Sequence, residues 1–435
     1  LDRVTLLPGG CLRGRIQAAP DKSISHRVAI AAALAEGQSE IQRYLKAEDT
    51  LCTLHCLAAL GVPWRWMDDE VLQIDGVGLT GLREPADVLN AGNSGTTARI
   101  LSGVLAAQPF VSILTGDASL RQRPMQRVVE PLGMMGARFI GRSSASRLPL
   151  AISGAAPTAL TYRSPRASAQ VKSALLFAGL FADGETRFEE PLRSRDHTER
   201  LFAMMGVPIV REANAVMVRG LRPLTPIRMT VPGDWSSAAF WLVAASVAPD
   251  SDVLIEGVGI NPTRTGLLDV LDAMGAKIDR LNTRVEGAEP VCDLRVRSAR
   301  LSSVEVSGDL IPRLIDEIPV LALACALAQG RSIIRDAAEL RVKESDRLQM
   351  TASQLSRLGA KIVECQDGLI IDGVPSLNGG NVSSAGDHRI ALTLAIAALR
   401  ATDAVDLDGI DCIRTSYPNF WEDFASLKHI NQPTP

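Results

Sequence analysis

V-L-D-A-M-G-A-K-I (270–278) and L-S-R-L-G-A-K-I (355–362) end alike, and the ending recurs along the chain. In each, apolar residues at helical spacing run into a glycine and then into a β-like stretch, the pattern of an amphipathic helix stopped at its C-terminus. L-A-A-L-G-V-P-W (57–64), L-G-M-M-G-A-R-F (132–139) and F-A-M-M-G-V-P-I (202–209) repeat it. The glycines 61, 136, 206, 275 and 359 lie 75, 70, 69 and 84 residues apart. Such self-similarity marks a chain built from one repeated supersecondary unit. A sixth copy is expected to end near F-A-S-L-K at the C-terminus, its glycine lost.

Each unit also holds an earlier helix of another kind. These read V-A-I-A-A-A-L-A-E-G (28–37), A-R-I-L-S-G-V-L-A-A-Q (98–108), V-K-S-A-L-L-F-A-G-L-F-A (171–182), A-A-F-W-L-V-A-A-S-V-A (238–248), P-V-L-A-L-A-C-A-L-A-Q-G (319–330) and I-A-L-T-L-A-I-A-A-L-R (390–400). They are rich in alanine and apolar on nearly every side, so they belong in an interior. With helices inside, strands must form the outer wall. Three units per half predict two similar α/β domains, each a bundle of buried helices wrapped by sheets.

The 435 residues suffice for two domains with full cores. Apolar residues make up 46% and charged residues 22%, the balance of a soluble globular protein. A net charge of -3 argues against nucleic acid held by bulk charge, and 4% aromatic residues against base-stacking platforms. The seven cysteines are scattered and read as reduced thiols, so a cytoplasmic location is expected. C-T-L-H-C (52–56) offers two thiols and an imidazole, but no second cluster completes four ligands; it reads as a helix against a core, and no metal is predicted. Neither a membrane-spanning apolar run nor a signal peptide is visible. The opening L-D-R-V lacks Met, as a trimmed or excised chain would.

The segments leading into the buried helices carry the chemistry. They are P-D-K-S-I-S-H-R (20–27), L-N-A-G-N-S-G-T-T (89–97), P-R-A-S-A-Q (165–170), V-P-G-D-W-S-S (231–237), R-L-I-D-E-I (313–318) and A-G-D-H-R (385–389). Ser23, Ser94, Ser168, Asp234, Asp316 and Asp387 are N-cap types. Capping alone explains one such residue per helix. It does not explain Lys22, Arg27 and Arg389, cations at the end of the helix dipole that favours anions. G-N-S-G-T-T lacks the P-loop pattern, so a nucleotide cradle is not indicated. The second helices open on charges as well: L-K-A-E-D-T (45–50), R-Q-R-P-M (121–125), R-S-R-D-H-T-E-R (193–200), N-P-T-R-T-G (261–266), R-V-K-E-S-D-R (341–347) and I-R-T-S-Y-P (413–418). Cations repeated at one structural position predict a shared anionic ligand. Within R-V-K-E-S-D-R the expectation is a helix with Lys343 and Arg347 on one face and Glu344 three residues from Arg347, either as a simple ion pair or as a catalytic carboxylate.

D-K-S-I-S-H-R, L-N-A-G-N-S-G-T-T-A-R, R-Q-R-P-M, S-A-Q-V-K-S-A-L-L, I-D-E-I-P, R-V-K-E-S-D-R and D-H-R-I-A, in this order, closely resemble the 5-enolpyruvylshikimate-3-phosphate synthase family from about residue 8 to 425. The resemblance implies an inside-out α/β prism with two domains of three βαβαββ units: 21–233, and 1–20 plus 234–435. It implies transfer of the enolpyruvyl group of phosphoenolpyruvate to the 5-hydroxyl of shikimate 3-phosphate, without cofactor, by a cytoplasmic enzyme expected to be a monomer. Carried over, Lys22, Ser23, Arg27, Ser168, Gln170, Ser194, Asp316 and Lys343 would hold shikimate 3-phosphate. Lys22, Asn93, Gly95, Thr96, Arg123, Gln170, Arg347 and Arg389 would hold phosphoenolpyruvate. Asp316 would be the base for the attacking hydroxyl, Glu344 the group that protonates the methylene and later recovers a proton, and Lys22 an aid to phosphate departure. Because the groups come from both halves, closure on ligand binding is expected.

Some positions depart from the best-studied branch and resemble the family's second sequence class. Ala169 stands within S-A-Q where that branch has S-S-Q, Glu339 stands for an Asn, and Thr415 for a late Lys, with Arg414 a possible substitute. Arg195 stands where an aromatic is common. Gly95 leaves room for glyphosate, a phosphoenolpyruvate mimic, although Ile100 replaces a family Pro. The related UDP-N-acetylglucosamine enolpyruvyltransferases share the donor but use a cysteine-bearing loop; no cysteine lies between Cys56 and Cys292 here.

Overall fold

The structure, a computed structural model, describes residues 2–429. Contacts divide the chain into two compact units. An inserted unit comprises Pro20–Pro232 with Val285–Glu289, and a split unit comprises the chain up to Ala19, Gly233–Arg284 and the chain from Pro290 on. The sequence expectation had put the changeovers one residue later and had kept 285–289 with the second domain. These five residues are a hairpin tip, the turn at Gly287 and Ala288 with the adjoining ends of the strands Lys277–Glu286 and Glu289–Arg297, and they cluster with the inserted unit.

Twelve helices carry the repeats. In the inserted unit they are α1 (Lys22–Ala33), α2 (Glu48–Ala59), α3 (Gly95–Leu105), α4 (Gln126–Met134), α5 (Ala169–Gly179) and α6 (His197–Met204). In the split unit they are α7 (Trp235–Val247), α8 (Gly266–Ala273), α9 (Ile318–Ala326), α10 (Arg347–Arg357), α11 (His388–Ala397) and α12 (Phe420–Leu427). The odd-numbered helices are the alanine-rich ones, and they are buried around nearly their whole circumference; every residue of α7, for instance, is buried. The even-numbered ones bury a single face. Small side chains let the central helices approach closely: a Cβ at Gly103 on α3 would stand 2.1 Å from the Ala174 carbonyl oxygen on α5. Each unit is thus an inside-out α/β prism with its helices in the centre and three sheets outside.

The second helices end as their glycines require. Gly61, Gly136, Gly206, Gly275 and Gly359 all have φ between +81° and +114°, the left-handed region open to glycine at little cost.

Strand order shows how the repeats are shared out. A typical sheet, Thr161–Arg163, Glu185–Glu189, Ala215–Arg219, Ile209–Arg211, has one parallel pair and two antiparallel ones. The sheet around Glu36–Gln42 takes its parallel strand from Arg228–Thr230, far along the chain. Cys11–Gln17, which precedes α1, instead pairs in parallel with Asp252–Gly259 in the split unit. The sixth repeat is closed by Arg3–Leu6, antiparallel to Val405–Asp408.

Four of the six expected N-caps hold. Ser94, Ser168, Asp234 and Asp387 accept from backbone N–H groups at 3.1, 3.4, 2.8 and 3.0 Å. The other two do not. Asp21, not Ser23, caps α1, accepting from Ile24 N at 2.8 Å, so Ser23 lies within the first turn. Asp316 lies in a 3-10 turn, Ile315–Glu317, and Glu317 is the residue before α9. A third correction concerns R-V-K-E-S-D-R. Ala338–Val342 is a 3-10 turn, Lys343 is extended, and α10 begins only at Arg347 under an Asp346 cap. Lys343 and Glu344 therefore precede the helix rather than sharing its face. The Asp346 side chain accepts from Gln349 N at 3.1 Å, which sets the helix start there.

Candidate functional site

In the inserted unit, side chains at the starts of the three central helices are joined by hydrogen bonds. His26 on α1 bonds Thr53 Oγ1 on α2 at 2.7 Å, Thr53 bonds Thr97 Oγ1 on α3 at 2.7 Å, and Thr97 donates to Ser94 Oγ at 2.8 Å. Gln170 on α5 donates to Thr96 Oγ1 at 3.0 Å. Arg27 on α1 donates to Ser173 Oγ on α5 and to Thr198 Oγ1 on α6, both at 3.0 Å. Helix N-termini and basic side chains thus gather at one end of the bundle, the arrangement an anion needs. Burial, then the charges of Lys22 and Arg27, hold the His26 pKa well below its ordinary value, so this imidazole is a neutral link.

The predicted cations sit within that frame. Lys22 Nζ lies 3.0 Å from Asp49 Oδ2. Arg123 is buried and donates to Asn93 twice, to the backbone oxygen at 3.2 Å and to Oδ1 at 2.6 Å, while Asn93 Nδ2 donates to Asp117 at 2.6 Å. The turn Asn93–Thr96 is therefore bound to Arg123. Gln170 Oε1 accepts from Arg99 at 2.7 Å, and Arg99 also donates to Pro124 O at 3.2 Å. Ser168 caps α5, and Ser194 lies buried in the connection before α6.

The split unit has the same threefold plan with carboxylates in place of hydroxyls. Ser236 Oγ on α7 donates to Glu317 at 2.5 Å, and Arg389 Nη1 on α11 lies 3.7 Å from the same carboxylate. Arg347, 1% exposed, is the hub. It contacts Asp387 Oδ2 at 2.8 Å, Asp316 Oδ1 at 3.1 Å and Glu344 Oε2 at 2.6 Å. Lys343 Nζ lies 3.4 Å from Asp316 Oδ1, and Arg389 Nη2 4.0 Å from Asp316 Oδ2. Burial works to lower the Arg347 pKa, but Asp387, Glu344 and Asp316 outweigh it and hold it above its ordinary value. One guanidinium thus joins both carboxylates that the sequence singles out for proton transfer.

Arg414 and Thr415 have partners of their own. Arg414 is an exposed side chain 3.9 Å from Asp411, and Thr415 donates to Cys412 O at 2.7 Å; neither is joined to the Arg347 cluster by these contacts. C-T-L-H-C lies on α2, with Cys56 buried. Four supporting residues escape a motif reading: Asp49, Arg99, Thr198 and Asp387 in its role as a partner of Arg347. The signal for Asp49 and Asp387 was a carboxylate next to a helix start, which capping already explains.

Comparison with known proteins follows this geometry. A profile of EPSP synthase (3-phosphoshikimate 1-carboxyvinyltransferase) matches residues 7–424. The 3-phosphoshikimate 1-carboxyvinyltransferase of Gloeobacter violaceus is 53% identical over 98% of this chain and 98% of its own. That of Pelobacter propionicus is 49% identical over the full length of both. Among solved structures, EPSP synthase from Acinetobacter baumannii matches with a TM-score of 0.88 at 40% identity over 98% of each chain. The enolpyruvyl transferase NikO from Streptomyces tendae, 20% identical with a TM-score of 0.79 over 98% of this chain and 97% of its own, shares the fold.

Proposed function

Since the chain belongs to the EPSP synthase family, we propose that the residues gathered at its helix starts perform enolpyruvyl transfer in the roles that follow. The enzyme moves the enolpyruvyl group of phosphoenolpyruvate to the 5-hydroxyl of shikimate 3-phosphate and releases phosphate, a step of aromatic amino-acid biosynthesis. Lys22, Ser23, Arg27, Ser168, Gln170, Ser194 and Lys343 hold shikimate 3-phosphate. Arg123 with Asn93, Gly95 and Thr96, together with Lys22, Gln170, Arg347 and Arg389, takes phosphoenolpyruvate. Both substrates carry phosphate and carboxylate groups. At 4 Å and an effective dielectric of about 20, one ion pair is worth ~4 kcal/mol, against ~0.3–2 for a helix end. Arginine and lysine therefore supply most of the binding, and helix ends orient it.

The observation that carries the reading is the sharing of Arg347 by Asp316 and Glu344. A carboxylate on a guanidinium stays deprotonated and has no proton to give. When the donor's anionic oxygens take Arg347, the fully buried Asp387 stays in place, and the partly exposed Glu344 is the partner that yields. Glu344 then loses a cation and faces an anion, two changes that raise its pKa and let it hold a proton. It delivers that proton to the methylene carbon while Asp316 accepts the proton of the attacking hydroxyl at the adjacent carbon. In the elimination Glu344 recovers a proton from the new methyl group, the double bond re-forms, and phosphate departs with the proton that Asp316 took up, Lys22 countering its charge.

Glu344→Gln tests this. Turnover is expected to fall by at least ~100-fold, with shikimate 3-phosphate affinity changed by less than about threefold. Wild-type turnover in the variant would remove the assigned role. The enzyme works as a cytoplasmic monomer without cofactor, nucleic acid or membrane partner. The seven free cysteines agree with a reducing compartment, and among the described residues no helix is long and apolar enough to cross a membrane. Native mass measurement tests the monomer.

A further inference from the structure

Lys172 lies on α5 two residues beyond Gln170, only 2% exposed, and nothing in the chemistry above uses it. Its Nζ lies 2.8 Å from Glu199 Oε1 on α6 and 3.0 Å from Glu190 Oε1, and it donates to Ser194 O at 3.2 Å. Glu190 Oε1 in turn accepts from Ser194 N at 2.9 Å. Both sides of Ser194 in the backbone are thus gripped by one buried ion pair, N–H by the glutamate and C=O by the ammonium. The Ser194 hydroxyl is buried and has no hydrogen-bond partner among the described residues. One residue along, Ser173 Oγ and Thr198 Oγ1 bond each other at 2.7 Å and both accept from Arg27. α5 and α6 are therefore tied by an ionic rung, Lys172–Glu199, and a hydroxyl rung, Ser173–Thr198, and the second orients Arg27.

A buried ammonium is costly unless it is paired and fully hydrogen-bonded, and replacing such pairs with apolar groups is often neutral for stability. Stability alone therefore gives little reason for three ionisable groups at this spot. The neighbouring carboxylates outweigh burial and hold the Lys172 pKa above its ordinary value, so the grip stays charged across the working pH range.

We infer that Lys172 is a positioning residue for the acceptor substrate: by holding the backbone of Ser194 between itself and Glu190, it aims the unpaired Ser194 hydroxyl at the phosphate of shikimate 3-phosphate. The inference rests on the assignment of Ser194 and Arg27 to that substrate. An apolar side chain of similar length removes the grip on the carbonyl, and the hydroxyl then samples positions that do not meet the ligand.

The test measures shikimate 3-phosphate binding by calorimetry and the KM of both substrates for wild type, Lys172→Met, Lys172→Arg and Glu190→Gln. The methionine variant is expected to weaken acceptor affinity by about tenfold, with KM for phosphoenolpyruvate changed by less than about twofold. Arginine, which can still bridge the carboxylates, restores part of the loss. If Lys172→Met does not fold, Glu190→Gln, which keeps the shape and lowers the buried charge, is expected to show the same selective loss at a few-fold. Combined with Ser194→Ala, Lys172→Met should add little further loss, since both act through one hydroxyl. A folded variant with wild-type acceptor affinity, an equal rise in both KM values, or full additivity with Ser194→Ala would overturn the assignment. Wild-type protein that fails to bind shikimate 3-phosphate would overturn the functional reading and this assignment with it.

Discussion

At the scale of single residues, Gly95 and His26 lend themselves to direct tests. A Cβ built on Gly95 would stand 2.8 Å from Arg99 Nη1 and 3.4 Å from Arg123 Nη1. The first contact is the end of a flexible side chain and can yield, so Gly95→Ala is expected to fold while displacing the guanidinium that anchors Gln170. Wild-type turnover should fall at sub-millimolar glyphosate. In the variant, the inhibition constant should rise by about tenfold more than KM for phosphoenolpyruvate, since the substrate is the shorter molecule. Wild-type turnover unaffected by millimolar inhibitor would contradict this. For His26 the sign follows from its depressed pKa. The unfolded chain binds a proton near the ordinary value of 6.5, and the folded one only well below it. The stability contributed by the neutral imidazole is therefore fully present above that value and is lost as pH falls from there towards the folded pKa. Melting curves of His26→Gln should start lower at pH 8 but decline less between pH 7 and pH 5 than those of the wild type. Parallel curves would refute the account. Lys22, Arg27 and Arg389 were legible as unusual positions because helix starts seldom carry cations without cause. Arg99 was not, because one arginine inside an apolar helix gives no sign of which way it turns.

Between residues and domains stand the helices and their stops, and here pattern served better than local charge. Gly133 and Gly136 close the same helix, α4, yet differ in what they do. Gly133 is exposed with nothing within 4 Å of an added Cβ, whereas Gly136 has φ +114°. Gly133→Ala is expected to stabilise the protein by about 0.5–1 kcal/mol and Gly136→Ala to destabilise it by about 1 kcal/mol or more, in chemical denaturation. The central helices were legible because nothing but burial suits a helix that is apolar around its whole circumference. The misread start of α10 has a specific cause. R-V-K-E-S-D-R has charges at helical spacing, but the turn before it stops at Val342, and Asp346, three residues beyond Lys343, takes the backbone as a cap, so the helix starts only at Arg347. That break leaves Glu344 outside the helix, where it reaches Arg347 across the cap.

For the whole molecule, the repeats implied two helices per unit and three units per core, and the family resemblance four strands per unit, but neither showed how strands are lent between repeats. Local pattern cannot show that Arg228–Thr230 serves Glu36–Gln42, or that Cys11–Gln17 serves Asp252–Gly259, because each strand looks alike whichever sheet receives it. One prediction follows from that allocation. Every strand of the three sheets in the inserted unit lies between residues 36 and 230, so a fragment of residues 20–232 contains them all. It is expected to unfold in one cooperative transition by circular dichroism, at a lower temperature than the intact chain, because His197 loses Glu289, its neighbour at 2.7 Å. A broad, non-cooperative melt would contradict this.

The same allocation sets a timetable for synthesis. Cys11–Gln17 leaves the ribosome before residues 20–232 of the inserted unit, and its partner Asp252–Gly259 follows only after them. In the interval the inserted unit has every strand of its three sheets, while Cys11–Gln17 waits with its edges bare. Leu12 and Ile16, both buried at the end, spend that time in water, and this stretch is where a chaperone or a wrong partner would find the nascent protein.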